Sequence, residues 1–425
     1  MGWGLLAALS RLLVDTDENA RGQKIAAALT VVSVLNLAII LIIIGVTQQP
    51  SKTQIINDQI LQLLPYASVA GALAAYPSIL LGKYVADGKA LQYRSLSLVG
   101  FSLQATALGA SVWAFQLDAK AAILAMISAA SVYAALSVCQ LVRTAKWNVH
   151  ANDYKALLMF GGPVVLYTIA GQSSEFVTKY VLAASVKSAE FGAFSAGMIY
   201  SSVIAMLASA INLAWVPLFY RHAQEWMALG VYRQFVDVFT AGMATCGAFL
   251  IIFSDELFAL YSDGRVSLDV SLVGFLVISA WLSSAVWMSL SNPLFHQKRS
   301  LMVLMIVLLS LVISIPLALF LIDQHGVLGA SLALFFSALT LCMIASLALR
   351  KLGIPDLNYS NLLTILFLLL LISSPIVNSL YNESSGLQML AEKSFIFVAF
   401  VAAALIPIFH SGQSVLRVIE SGEAQ

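Results

Sequence analysis

Four polar side chains recur at helical spacing inside one long apolar stretch, residues 156–184. They are Thr168, Gln172, Glu175 and Lys179, separated by 4, 3 and 4 positions. Residues at these spacings share one face of an α-helix. Ionisable groups inside a membrane cost about 3 kcal/mol each on insertion scales, so they mark function by default. A face that carries a carboxylate, an ammonium and an amide therefore predicts contact with a polar or charged substrate.

Two interpretations of this polar face remain open. With the helix centred near Ala170, Glu175 lies about 8 Å and Lys179 about 13 Å toward the outside, at about 1.5 Å per residue. In the first interpretation the face lines a cavity between two lobes, where Lys179 meets a sugar or a phosphate and Glu175 binds a proton or a cation. In the second, Glu175 and Lys179 form an i,i+4 ion pair that neutralises itself against a neighbouring helix.

Other polar residues in apolar stretches extend the list of candidates. Tyr167 could stack on a sugar ring, and we include Asn36 among the substrate contacts. Hydrogen bonds between helices explain Asn36, Gln104 and Asn212 at least as well. The predicted substrate-binding residues are Lys179, Glu175, Gln172, Thr168, Tyr167 and Asn36.

The stretches that carry these residues define the class of protein. Hydrophobic residues make up 60% of the chain and charged residues 10%, and about 20 apolar residues span a hydrocarbon core about 30 Å thick. Backbone polar groups must be paired in lipid, so each span should be an α-helix. The sequence predicts an all-α, polytopic membrane protein with spans at 25–47, 60–82, 96–117, 120–142, 156–184, 189–218, 233–253, 267–290, 301–322, 327–349, 362–381 and 393–411.

Orientation follows from the positive charges of the loops. The segments on one side hold 16 Lys and Arg residues, whereas the other side holds 5. Cytoplasmic loops carry the excess of positive charge. Both termini are therefore predicted to be cytoplasmic.

Several classes of protein are disfavoured. A net charge of +1 gives no electrostatic case for binding nucleic acid. The three cysteines fall inside predicted helices without a CxxC spacing, which implies neither a disulfide framework nor a zinc site. We find no nucleotide-phosphate loop, metal cluster or nucleophile paired with a base, so we expect no enzyme and no cofactor. A polysaccharide polymerase or ligase would carry a large external loop rich in Arg or His.

An internal repeat divides the chain. The external turns at Asp118 and Asp323 are 205 positions apart, and the cytoplasmic exits at Arg143 and Arg350 are 207 apart. We therefore expect two pseudo-symmetric lobes. By the repeat, we expect the first lobe to lack its first helix and most of its second, about 50 residues. The expected domains are a truncated or interfacial segment at 1–24, an incomplete lobe of four helices at 25–155, a lobe of six helices at 156–350, and two further helices with a tail at 351–425.

Short motifs at the start of the second lobe resemble those of a known family. Residues 160–166 read FGGPVVL, 191–197 read FGAFSAG and 214–218 read AWVPL. This pattern resembles bacterial polysaccharide flippases of the Wzx or PST type, in the superfamily that also holds the multidrug MATE exporters and the lipid II flippase. Residues 323–331, DQHGVLGAS, resemble the external turn of that family, where a Gly-x-x-Gly-Ala pattern recurs. The two helices after Arg350 favour the polysaccharide and lipid II branches over the MATE exporters.

The resemblance implies a function and its partners. Such a flippase lies in the bacterial inner membrane. It moves a polyprenyl-diphosphate-linked oligosaccharide, such as an O-antigen unit for lipopolysaccharide, from the cytoplasmic to the outer leaflet by alternating access. The partners implied are the lipid-linked oligosaccharide, membrane lipid, and the polysaccharide polymerase and ligase machinery. The alternatives are a MATE-like, cation-coupled exporter of small molecules and an inactive, truncated flippase.

Overall fold

The part of the chain that the structure describes is almost entirely helical and contains no strand. This computed structural model describes residue 13 and residues 18–47, 58–115, 119–228, 230–262, 269–353, 359–374 and 388–404. The helices are α1 (Glu18–Thr47), α2 (Asp58–Ala86), α3 (Ala90–Phe115), α4 (Ala119–Thr144), α5 (Ala151–Ser185), α6 (Ser188–Ala228), α7 (Val231–Ile252), α8 (Ser254–Ser262), α9 (Val270–Trp281), a π-turn (Leu282–Val286), α10 (Trp287–His296), α11 (Ser300–Lys351), α12 (Tyr359–Ile372) and α13 (388–404).

Eight of the described helical stretches are long and apolar enough to cross a membrane. The fold class predicted from the sequence, an all-α polytopic membrane protein, is therefore confirmed. Each of the twelve predicted spans overlaps one of the helices, with α9, the π-turn and α10 forming a single span over Val270–His296. Several helices outrun the membrane: α6 has 41 residues, about 60 Å at 1.5 Å per residue.

The long helix α11 contains the predicted external turn. Its backbone breaks at Gly326, where φ is 54° and ψ is −123°. A side chain is strained at this positive φ, whereas glycine adopts it freely. Beyond the break, a Cβ on Gly329 would overlap the carbonyl oxygen of Leu321. The two glycines of the Gly-x-x-Gly-Ala pattern thus have separate physical roles. Gly326 turns the chain, and Gly329 lets the backbone after the turn pass close to the backbone before it.

One predicted span is wrong at its end. The span 362–381 was expected to be continuous, but α12 ends at Ile372 and the chain turns through Ser373 and Ser374. Pro375 follows, and a residue that precedes proline is disfavoured in helical geometry. The predicted residues 375–381 and 405–411 lie outside the described part of the chain.

The chain forms two compact units, Met1–Ile169 and Ala170–Gln425, with the boundary inside α5. In the first unit, α2 packs against α1, α3 and α4. Its apolar core includes Ile25, Ile79, Leu80 and Leu141, each at most 1% exposed.

In the second unit, α9 packs against α6, α7, α11 and α12. One core cluster joins Leu182 of α5 to Phe194 of α6, Leu276 of α9 and Ile322 of α11. Gly274 of α9 lies so close to Ser373, just after α12, that a Cβ there would overlap its side chain. The apolar core of this unit therefore includes α12, the first helix that follows residue 350.

Large apolar side chains are also exposed on the outer faces of the helices. Phe101, Met206 and Val312 are each about 70% exposed. Exposed apolar residues at this density are unfavourable in water and match a hydrocarbon solvent.

Candidate functional site

The polar face predicted on α5 forms within a single helix. Helix α5 runs uninterrupted from Ala151 to Ser185, so the 4, 3, 4 spacing does place the four side chains on one face. Pro163 lies inside this helix, more than three turns after its start, where its ring removes one backbone hydrogen bond.

The two charged residues of this face contact each other. Lys179 Nζ donates a hydrogen bond to Glu175 Oε1 at 2.5 Å, and their side chains are 38% and 39% exposed. This is the i,i+4 pair of the second interpretation, with Glu first in sequence. More than a third of each side chain is exposed.

The neighbouring polar residues differ in what they offer. Thr168 Oγ1 donates to the carbonyl oxygen of Val164 at 2.8 Å, which uses its proton within the helix. Tyr167 is half-buried and Gln172 is exposed. Ser174 Oγ lies 2.9 Å from Ser337 Oγ of α11, which fixes the helix beside Glu175. An exposed amide and an accessible ion pair can therefore exchange hydrogen bonds with hydroxyl or phosphate groups.

The single polar residues of the other spans make contacts between helices. Asn36 is buried on α1, and its Nδ2 donates to the carbonyl oxygen of Ala72 on α2 at 3.0 Å. Asn212 Oδ1 of α6 accepts a hydrogen bond from Asn292 Nδ2 of α10 at 2.8 Å. Both contacts are hydrogen bonds between helices, the alternative to substrate binding that the sequence left open. Gln104, the third of these residues, is exposed.

Sequence reasoning missed a buried ion-pair cluster in the second unit. Lys393 of α13 is 2% exposed, and its Nζ lies 2.8 and 3.0 Å from the two carboxylate oxygens of Glu256. Asp255 Oδ2 lies 3.8 Å from the same nitrogen. Both acids belong to α8, a short helix that was not predicted. Its signal was present: a serine followed by two acidic residues is typical of a helix start.

A carboxylate also lies within α7. Asp237, near the start of a predicted span, is the seventh residue of this helix and only 8% exposed. By contrast, Asp269 does cap a helix, since its Oδ1 accepts the backbone N–H of Ser271 at 2.7 Å.

The π-turn at Leu282–Val286 had no signal in the sequence. The indole Nε1 of Trp281, just before it, donates to the carbonyl oxygen of Thr240 at 2.9 Å. The thiol of Cys342 lies 3.4 Å from the carbonyl oxygen of Leu282. Single π-turns inside helices are frequent at functional sites.

The described residues contain no group of three or more His, Cys, Asp or Glu side chains that could hold a metal ion. The cysteines Cys139, Cys246 and Cys342 are all free thiols.

Comparisons with known proteins identify the fold. No protein-family model matches the sequence, and no curated protein matches it significantly. Among solved structures, the lipid II flippase MurJ in an inward closed conformation superposes with a TM-score of 0.67 at 11% identity, over 96% of this chain and 88% of that one. An outward-facing multidrug resistance MATE family transporter of the MOP superfamily superposes with a TM-score of 0.62 at 14% identity, over 82% of each chain. The Vibrio cholerae MATE transporter VcmN in the bent form gives 0.58 at 19% identity, over 82% and 84%.

Proposed function

We propose that this protein is a flippase that moves a polyprenyl-diphosphate-linked oligosaccharide from the cytoplasmic to the outer leaflet by alternating access. Its fold is that of MATE transporters and of the lipid II flippase. This fold supports a membrane transporter rather than an enzyme. The lipid-linked oligosaccharide is the substrate that we propose for it.

The observation that favours a lipid-linked substrate is the extent of the structural match. At 96% coverage, the superposition on MurJ leaves about 17 of the 425 residues unmatched. The described residues of α12 and α13 number 31, so the match must include part of these two helices. The superposition on the MATE family transporter leaves about 76 residues unmatched, similar to the 75 that follow Arg350. At least part of these additional helices is thus matched in a protein described as a flippase.

The polar face of α5 is the proposed contact for the head group. The Lys179 ammonium meets a phosphate or sugar hydroxyl, and Glu175 accepts hydrogen bonds from sugar hydroxyls or takes up a cation. Gln172, which is exposed, adds a neutral donor and acceptor. Because Glu175 and Lys179 are paired at rest, substrate binding exchanges one set of charge-assisted hydrogen bonds for another.

Transport in vesicles tests this proposal. Purified protein is reconstituted in liposomes with a fluorescent polyprenyl-diphosphate-linked oligosaccharide, and flipping is measured as the fraction of label that added dithionite reduces. We expect Lys179→Ala and Glu175→Gln each to slow flipping at least tenfold with unchanged reconstitution. Lys187→Ala and Glu190→Gln are matched controls, since both residues are exposed and lie off this face.

The pattern across variants separates a binding role from a structural one. If both single variants flip at the normal rate, the face does not contact substrate. If each single variant loses the folded protein and the double variant restores it, the pair is only a structural neutralisation.

A second candidate is a MATE-like exporter of small molecules coupled to a cation. The buried Asp237 of α7 favours it, because such coupling requires a carboxylate shielded from water. Efflux of a cationic dye from the same liposomes, driven by a proton or sodium gradient and lost in Asp237→Asn, would select this function. Oligosaccharide flipping without dye efflux would select the flippase.

A further inference from the structure

Three segments of the first unit converge beside one end of its helices. The Arg21 guanidinium of α1 donates to Asp87 Oδ1, just after α2, at 3.1 Å. The backbone N–H of Lys146, just after α4, donates to the carbonyl oxygen of Gly22 at 3.0 Å. A Cβ on Gly22 would lie 2.8 Å from the Lys146 side chain. The start of α1 is therefore held against the ends of both α2 and α4.

This convergence concentrates positive charge. Residues 18–24, 83–89 and 140–147 contain six cations and two acids, Glu18 and Asp87. We call the six the cationic corner: Arg21, Lys24, Lys83, Lys89, Arg143 and Lys146. Six less two leaves a formal charge of +4.

Geometry keeps these charges together. Lys89 Nζ lies 4.0 Å from Asp87 Oδ2, so Arg21 and Lys89 share one carboxylate that is 14% exposed. Tyr84, one residue after Lys83, donates its hydroxyl to Gln140 Oε1 at 2.5 Å, which ties the end of α2 to α4. The three segments that carry the cations therefore lie together at one end of these helices.

The level of this corner in the membrane follows from its surroundings. The apolar stretches Leu63–Ala86 and Lys120–Thr144 both end at it, so it lies where the hydrocarbon core gives way to head groups. Trp147, next to Lys146, is 60% exposed. Exposed tryptophans are enriched at this interface. The corner thus combines an aromatic anchor with an excess of cations at head-group depth.

We propose that the cationic corner binds the head group of an anionic phosphoglyceride of the same leaflet, with phosphatidylglycerol as the representative ligand. Basic pockets between transmembrane helices bind anionic head groups in this way. The site lies within the first unit and does not depend on the transported substrate. Its phosphate chemistry is shared with a polyprenyl diphosphate, and the test separates the two ligands.

Native mass spectrometry of the detergent-solubilised full chain, titrated with phosphatidylglycerol or phosphatidylcholine, measures the binding. We expect phosphatidylglycerol to bind more tightly than phosphatidylcholine. In Arg143→Gln/Lys146→Gln its dissociation constant should rise about 25-fold, since each Lys or Arg near an anionic surface contributes about fivefold. Both side chains are exposed, so the variant should stay folded, as size exclusion will show. Lys89 is also exposed, and Lys89→Gln should raise the dissociation constant of phosphatidylglycerol about fivefold.

The matched control removes two cations from another turn. Lys298→Gln/Arg299→Gln should change the dissociation constant of phosphatidylglycerol less than threefold. An equal loss in that control would show a bulk charge effect and overturn the proposal, as would unchanged binding in Arg143→Gln/Lys146→Gln. Displacement of phosphatidylglycerol by equimolar polyprenyl diphosphate would assign the corner to the transported lipid and overturn it as well. Because flipping is not measured here, failure of this proposal leaves the proposed function untouched.

Discussion

The ion pair between Lys393 and Glu256 allows an asymmetric prediction about stability. The Lys393 side chain is 3% exposed, that of Glu256 29% and that of Asp255 56%. A buried charge that loses its partner costs about 3–5 kcal/mol, whereas replacing a buried charge by an apolar group of similar volume is often neutral. The two partners should therefore respond differently to substitution.

The magnitudes follow from the exposures. Glu256→Gln leaves the Lys393 ammonium buried, with Asp255 at 3.8 Å. Because Asp255 is largely exposed, its attraction to Lys393 offsets about 1 kcal/mol of the loss at most. We expect a loss of about 3 kcal/mol, which is about a hundredfold in the unfolding equilibrium. Lys393→Met keeps the apolar stem and leaves Glu256, which water still reaches, so we expect a loss below about 1 kcal/mol. Asp255→Asn should cost about 0.5 kcal/mol.

Unfolding in mixed micelles by added SDS, followed by tryptophan fluorescence, measures these differences. The double variant Glu256→Gln/Lys393→Met should resemble Lys393→Met alone, because the buried charge that made the first change costly is gone. The reasoning is refuted if Lys393→Met is as damaging as Glu256→Gln. Additive losses in the double variant would refute it equally.

Three further predictions concern the turn, the membrane interior and the topology. Gly329→Ala should reduce the yield of folded protein severalfold, because its Cβ would overlap a backbone carbonyl; normal yield in size exclusion would contradict the close approach. Asn292→Ala should cost about 1 kcal/mol in the same SDS titration, since it removes the hydrogen bond to Asn212, and no further loss is expected when Asn212→Ala is added. Single cysteines in 185–188 should react with an impermeant maleimide from outside the cell, and those in 146–152 should not; labelling of the second range from outside would reverse the orientation.

Local features of this protein were predictable from the sequence. Helical spans, the polar face of α5 and the turn at Gly326 depend on contacts within a few residues of the chain, and a membrane requires each span to satisfy its own backbone. The pair between Glu175 and Lys179 is an example: its spacing of four residues is enough to bring the groups together in any helix. The early end of α12 was readable too, from the proline that follows, although the hydropathy of the span concealed it.

Tertiary structure decided which distant residues meet. Lys393 and Glu256 are 137 positions apart, and Asn212 and Asn292 are 80 apart. No periodicity links such positions, because their proximity depends on how whole helices pack. The same holds for the burial of Asp237, which its distance from a helix end did not indicate, and for the cationic corner, whose charges come from three segments. The sequence by itself determined the solvent, the helices and the face of α5, since these depend on local composition and spacing, whereas the partners of each buried polar group were set only when the helices packed together.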